Sequence, residues 1–299
     1  MPQITANGIS LEYDVRGEGP ETVLLIMGLG AQMTRWPDAF CDMLAGHGYR
    51  VVRFDNRDIG LSHKFEEAGL PDMAAVMGAV MSGQAPVVAY TLDEMAADAA
   101  ALLEALEIER AHIVGASMGG MIAQLVAADH GHRALSLTSI MSTTGNRALP
   151  PATPEALTAL STPAPNPHED IEAYLAHGVK NAKIMGSPGF DFDEAAHRER
   201  SLSDVRRSYY PAGFMRQYAA ILASPDRRPK LASLTLPVTV IHGEADPLVP
   251  LAGGEDTARS IPGAELLTIP GMGHDIPVPL YGQIAGAIAA VAARAREMP

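Results

Sequence analysis

Three residues able to do acyl chemistry together stand in the order Ser117, Asp246 and His274. Ser117 is the centre of Gly115-Ala116-Ser117-Met118-Gly119, a Gly-x-Ser-x-Gly pentapeptide. An apolar, β-rich run ends at Gly115, and a helix-like run begins near Met118. A serine on so tight a strand-to-helix turn has a strained backbone. Side chains at the flanking positions would strike a neighbouring strand or the helix, so glycine is required there. The turn lifts the hydroxyl clear of the sheet and sets it at a helix N-terminus, whose free N–H groups favour a developing anion. The plain alternative is a glycine-rich turn whose serine caps the following helix.

A serine hydroxyl is too weak an acid to attack alone near neutral pH. It needs a base within hydrogen-bond reach, and that base needs an orienting carboxylate. Asp246 follows a strand at Pro237–Gly243, and His274 follows one at Ala264–Ile269. In an open parallel sheet, functional loops gather at the carboxyl ends of strands. All three residues therefore project at one edge, in the order expected for this kind of turn. His274 sits in Gly271-Met272-Gly273-His274, where glycine backbone lets a ring reach across. Glu244 is the main rival for the acid, and Asp275 lies beside the base. The loop Ser142-Thr143-Thr144-Gly145-Asn146 holds no carboxylate. His112 and His242 lie inside strands and read as core residues. His130-x-His132 lacks a third ligand of the right type, so neither a metal nor a cofactor is expected.

Acyl transfer also needs donors for a tetrahedral oxyanion. The Met118 N–H, next after the serine, is one. The Leu29 N–H is the second, in Gly28-Leu29-Gly30 after the apolar run Thr22–Met27. Gly28-x-Gly30 could also open a dinucleotide fingerprint. Met33 stands where that fingerprint requires a small residue, and no helix opens there.

The positioning elements follow from hydrophobic periodicity. Ile4 to Tyr13 reads as two strands around an Asn7-Gly8 turn. Thr22–Met27, Arg50–Asp55, Ala111–Gly115 and Ala134–Met141 read as further strands, the near-continuous apolar run at Thr22–Met27 marking a strand buried on both faces. Trp36–Ala45, with Cys41 as a small core residue, reads as a helix. Another begins at Thr91, where Glu94 completes a capping box. Met73, Met77 and Met81 fall on one helix face, for packing or as a pocket border. This alternation predicts an α/β, mostly parallel, doubly wound sheet. From residue 144 to 232 proline is frequent and β-branched runs vanish, with helices expected at Asp170–Ile184, Asp193–Ser201 and Gly213–Leu222. The alternation then resumes, so this segment reads as a helical cap inserted in a core of residues 1–143 and 233–299. Ile284–Ala293, too short to span a bilayer, reads as a closing helix on the sheet.

The chain has 299 residues, 47% of them hydrophobic, enough for one large core. Its net charge of −13 disfavours nucleic acid and anionic membranes as partners. A single cysteine excludes an intrachain disulfide. The N-terminus shows no basic patch followed by an apolar run, so a cytoplasmic protein, monomeric or homodimeric, is the expectation.

Met27-Gly28, Trp36-Pro37, Asp55-Asn56-Arg57-Asp58, Gly115-Ala116-Ser117-Met118-Gly119, Asp246-Pro247 and Pro270-Gly271-Met272-Gly273-His274 together resemble the α/β-hydrolase fold family. Within it, the chain is similar to serine carboxylesterases of the aclacinomycin methylesterase type. The resemblance implies Ser117 as nucleophile, His274 as base, Asp246 as orienting acid, and a small-molecule ester as substrate. Many relatives have His-Gly where this chain has Met27-Gly28. Relatives acting as haloalkane dehalogenases or epoxide hydrolases carry aspartate at the nucleophile, which Ser117 excludes. Arg57 and Asp58 read as loop-pinning residues. Lactone, carbon–carbon bond and perhydrolytic chemistry use the same triad and stay open, as does a small-ligand receptor on the same scaffold.

Overall fold

The computed structural model describes residues 2–297. Its strands are β1 (Gln3–Ala6), β2 (Ile9–Arg16), β3 (Glu21–Ile26), β4 (Tyr49–Phe54), β5 (Ala111–Ala116), β6 (Ala134–Ile140), β7 (Val238–Gly243) and β8 (Glu265–Ile269). They form one sheet in the order β1-β2-β4-β3-β5-β6-β7-β8. The first hairpin joins antiparallel, and β4 through β8 pair in parallel. Asn7 and Gly8 both take positive φ, at 49° and 77°, as an Asn-Gly hairpin turn requires.

The sheet is buried on both faces, which is why its central strands lack polar alternation. Leu24 and Ile26 of β3 join one core cluster, and Val23 and Leu25 join the other. Helices α1 (Asp38–Gly46) and α2 (Met73–Met81) precede α3 (Leu92–Ala105) and α4 (Met118–Asp129). Helices α3 and α4 cover the first cluster. Cys41 of α1 is fully buried in the second. The capping box at Thr91 is present, with the Glu94 carboxylate accepting from the Thr91 N–H at 2.5 Å.

Between β6 and β7 lie α5 (Pro154–Ser161), α6 (Ile171–Met185), α7 (Glu194–Arg207), α8 (Pro211–Ala223) and the short α9 (Arg228–Leu231). The three expected helices are present, and α7 runs six residues beyond Ser201. Helices α5 and α9 were not foreseen. Helix α2 packs on α8, so residues before 144 also contribute to this helical layer. On α2 the methionine face is a correction: Met77 and Met81 are exposed, and Val76 is the buried residue. The four-residue spacing marks a helix correctly, but the face that turns inward is the other one.

Helix α10 (Leu251–Ser260) follows β7, and α11 (Tyr281–Arg296) closes the fold. With the turn before it, Val278–Arg296 has the length and apolarity to cross a membrane, so Ile284–Ala293 understated its extent. Ile284, Ala285, Ile288, Val291 and Ala292 are buried in the core, and the helix packs on α1, β6 and β7. That is the amphipathic pattern of a helix lying on a sheet.

Candidate active site

Ser117 sits between β5 and α4 with φ 56° and ψ −121°, strained for a residue with a side chain. Its glycine neighbours explain why the strain persists. A Cβ on Gly115 would overlap the Gly119 carbonyl, and one on Gly119 would overlap the Ile26 carbonyl. The Ser117 turn is thus pressed against β3 and its own helix, and Ser117 N–H donates to Ile140 O at 2.9 Å. Ser142 Oγ donates to the Ser117 carbonyl at 2.8 Å from the neighbouring loop.

The ring of His274 lies between the serine and the acid. Its Nε2 is 2.9 Å from Ser117 Oγ, and its Nδ1 is 2.7 Å from Asp246 Oδ2. The remaining oxygen of Asp246 accepts the N–H groups of Leu248 and Val249, both at 2.9 Å. Those bonds keep the carboxylate aimed at His274 and leave Nδ1 as the donor to it, with Nε2 unprotonated and facing the serine. Asp246 is buried, so its charge acts through low-dielectric surroundings.

His242 underlies this arrangement as a core residue. Its Nε2–H donates to Val249 O at 2.8 Å, steadying the loop that carries Asp246. Burial lowers its pKa and keeps the ring neutral. The rivals for the acid lie elsewhere. Glu244 is exposed and accepts from Thr268 Oγ1 at 2.9 Å. Asp275 accepts from Ser187 Oγ at 2.5 Å. His112 is held by Ser136 and Glu21 inside the sheet.

Leu29 lies in the loop after β3, beside the Ser117 turn. A Cβ on Gly28 would be 3.2 Å from both Ala116 O and Ser117 Cβ, so only glycine backbone approaches this closely without crowding. Met118 is the first residue of α4, where a helix leaves its N–H without an intrahelical acceptor. Among the described residues, neither the Leu29 nor the Met118 N–H makes a hydrogen bond. Two donors without a protein acceptor therefore lie next to the Ser117 turn.

The helical layer holds the loops of the site. His274 N–H donates to Met185 O at 2.7 Å, and Gly189 N–H to Gly271 O at 2.9 Å. Ser187 Oγ also accepts from the Gly273 N–H at 2.8 Å. Arg57 pairs with Asp98 and Asp58 with Arg216, both as buried ion pairs, which matches their reading as pins. Ser187 and Gln217 were missed from sequence. Gln217 left one signal: with Gly213, Arg216 and Ala220 it occupies the buried stripe of α8, where an amide needs a partner.

A family model described as alpha/beta hydrolase fold matches residues 21–278. Rhodomycin D methylesterase DnrP of Streptomyces peucetius is 28% identical over 304 residues, covering 96% of this chain and 96% of that protein. The 3-oxoadipate enol-lactonase 1 of Acinetobacter baylyi is 28% identical over 254 residues, covering 83% of this chain and 80% of the lactonase. Among solved structures, the meta-cleavage product hydrolase CumD from Pseudomonas fluorescens IP01 superposes with a TM-score of 0.74 at 20% identity, covering 99% of this chain and 98% of that one. That likeness speaks to the fold.

Proposed function

This chain belongs to the α/β-hydrolase fold family, and from that premise we propose that it is a serine hydrolase of carboxylic esters. The observation that carries the reading is the unbroken contact from Ser117 Oγ through His274 to Asp246. Ser117 attacks the ester carbonyl while His274 Nε2 takes its proton. Asp246 orients the ring and stabilises the imidazolium. The Leu29 and Met118 N–H groups receive the oxyanion. Collapse of the tetrahedral adduct breaks the bond to the alkoxy oxygen, which leaves as the alcohol with the proton from His274. Water repeats the sequence on the acyl-enzyme, giving its proton to His274 and releasing the acid and Ser117.

Similarity to a methylesterase over nearly the whole chain favours esters of small alcohols, methyl esters first. A lactone is an intramolecular ester and passes through the same steps, and similarity to an enol-lactonase supports testing that class beside open esters. Residues 144–232 act as a cap over the loops of the site, supported by the bonds from Met185, Ser187 and Gln217 to those loops. The core is then residues 1–143 and 233–299. No metal or cofactor enters these steps, and a cytoplasmic location fits them.

The deciding test is Ser117→Ala assayed with short p-nitrophenyl and methyl esters. Turnover should fall to the solution background. Retained turnover by the folded variant rejects the assignment.

A further inference from the structure

We infer that Gln217, in the inserted helix α8, is a positioning residue for the oxyanion donor at Leu29. The assignment rests on the reading of Ser117 as nucleophile and the Leu29 N–H as a donor.

Peptide groups are planar and trans, so fixing a carbonyl also fixes the N–H on the other side of its plane. Three successive planes run through the loop after β3. Asn56 Nδ2 donates to Met27 O at 2.9 Å and holds the first. Ala31 N–H donates to Gly28 O at 3.3 Å and holds the second, which carries the Leu29 N–H. Gln217 Oε1 accepts from the Gly30 N–H at 2.9 Å and holds the third. The middle plane has the longest of these bonds, so its orientation depends on its two neighbours.

Gln217 is well placed to fix one of them. It is fully buried, and its Nε2 donates to Arg57 O at 2.9 Å, so both halves of the amide are occupied. A buried amide with no spare partner is costly to rotate away. Phe214, three residues earlier on α8, also lies against Gly30, where a Cβ would come within 2.6 Å of the ring. Gly30 has φ +68°, the left-handed conformation that turns its N–H toward α8. Glycine torsions are soft on their own. Here a glutamine and an aromatic ring from the insertion set them. The Leu29 donor is thereby aimed by a helix that does not touch the reacting atoms.

An oxyanion donor acts in the transition state, so misaiming it lowers kcat and spares KM. Gln217→Met keeps the volume and removes both hydrogen bonds. With p-nitrophenyl butyrate its kcat should fall about 10- to 100-fold, less than or equal to the loss of a donor itself, with KM within about threefold. Gln217→Glu gives a signature that loss of packing cannot produce. Its ionised carboxylate accepts from Gly30 but faces the Arg57 carbonyl with no proton to donate. Its protonated form restores both bonds. Burial at this fully enclosed position raises the introduced carboxyl's pKa above the usual Glu value of about 4.3, so the ratio of its kcat to that of wild type should rise several-fold as pH falls from about 8 to about 5.5. A flat ratio overturns the assignment, as does a folded Gln217→Met with unchanged kcat, and the ratio decides alone if Gln217→Met does not fold. If wild type resists a fluorophosphonate at Ser117 and cleaves no ester, the underlying reading fails and takes this assignment with it. Labelled, active wild type beside unaffected variants removes Gln217 alone.

Discussion

Arg216 on α8 forks onto Asp58 in the turn after β4, with Nε donating to Oδ2 at 2.7 Å and Nη2 to Oδ1 at 2.9 Å. Both side chains are buried, and Tyr90 Oη and the Phe65 N–H complete the carboxylate's partners at 2.7 and 2.8 Å. Two further pairs repeat the motif of an α7 or α8 residue against a core loop: Arg207 with Asp55, and Asp204 with Arg35. The helical layer is therefore joined to the loops after β3 and β4 by three charge pairs, of which Arg216–Asp58 is sealed from water and Asp204–Arg35 is partly exposed. Sealed pairs discriminate strongly between matched and mismatched states, because one partner alone is a buried, uncompensated charge.

Arg216→Met should lower stability by about 3 kcal/mol, and the double variant Arg216→Met with Asp58→Asn should recover part of it. The pH dependence has a defined sign. Burial raises the Asp58 pKa, but the Arg216 fork and the Tyr90 and Phe65 hydrogen bonds outweigh it, leaving the pKa below its usual 3.8. A depressed carboxyl pKa stabilises the fold above 3.8, and that contribution is lost as pH falls through the folded value. Thermal unfolding between pH 7 and pH 3 should show a shallower acid limb in Arg216→Met than in wild type. An unchanged limb with unchanged Tm would remove the pair from the account.

Asp246→Asn should leave the fold intact and lower kcat by about four orders of magnitude, since the amide favours the wrong tautomer of His274. Glu244→Gln should stay within about twofold of wild type, because the exposed Glu244 binds Thr268 and faces no part of the site. Steady-state kinetics on short esters separate the two. Near-full activity in Asp246→Asn would transfer the acid role to another carboxylate.

The glycines divide sharply by what surrounds them. A Cβ at Gly119 would meet the backbone carbonyls of Ile26 and Met27, which cannot swing aside. Gly286, inside α11, has open space at that position. Gly119→Ala should destabilise the protein by several kcal/mol or prevent its recovery in folded form. Gly286→Ala should raise stability by up to about 1 kcal/mol through helix propensity alone. Denaturant unfolding of the two variants checks both signs.

The candidate site was legible because its residues are marked by short-range sequence patterns. The strained Ser117 needs glycine on both sides, and Asp246 and His274 each follow an apolar strand. Those constraints appear within a few residues. What was hidden depends on distant partners. The stretch Glu194–Arg207 is mostly polar, so the end of α7 has no apolar periodicity to mark it. Met77 and Met81 satisfy a helical spacing while Val76 takes the buried position, because α8 presents its surface to that side. Gln217 becomes meaningful only when Gly30, 187 residues away, is known to donate to it.

Asp275 supplies the opposite pH signature to Asp58. Burial pushes its pKa up, and the hydrogen bond from Ser187 and the nearby His274 only partly oppose it. A carboxyl whose folded pKa is raised contributes stability that is fully present below its unfolded value of about 3.8 and lost as pH rises through the folded value. At neutral pH the ionised group is therefore a net cost to the fold. Asp275→Asn removes the charge and keeps an oxygen able to accept from Ser187 Oγ. The variant should match wild type in Tm near pH 4 and exceed it at pH 7 to 8, the gap opening with pH. Calorimetry across that range tests the sign, and a gap that is constant or closes with rising pH would show that the carboxylate is better compensated than its surroundings indicate.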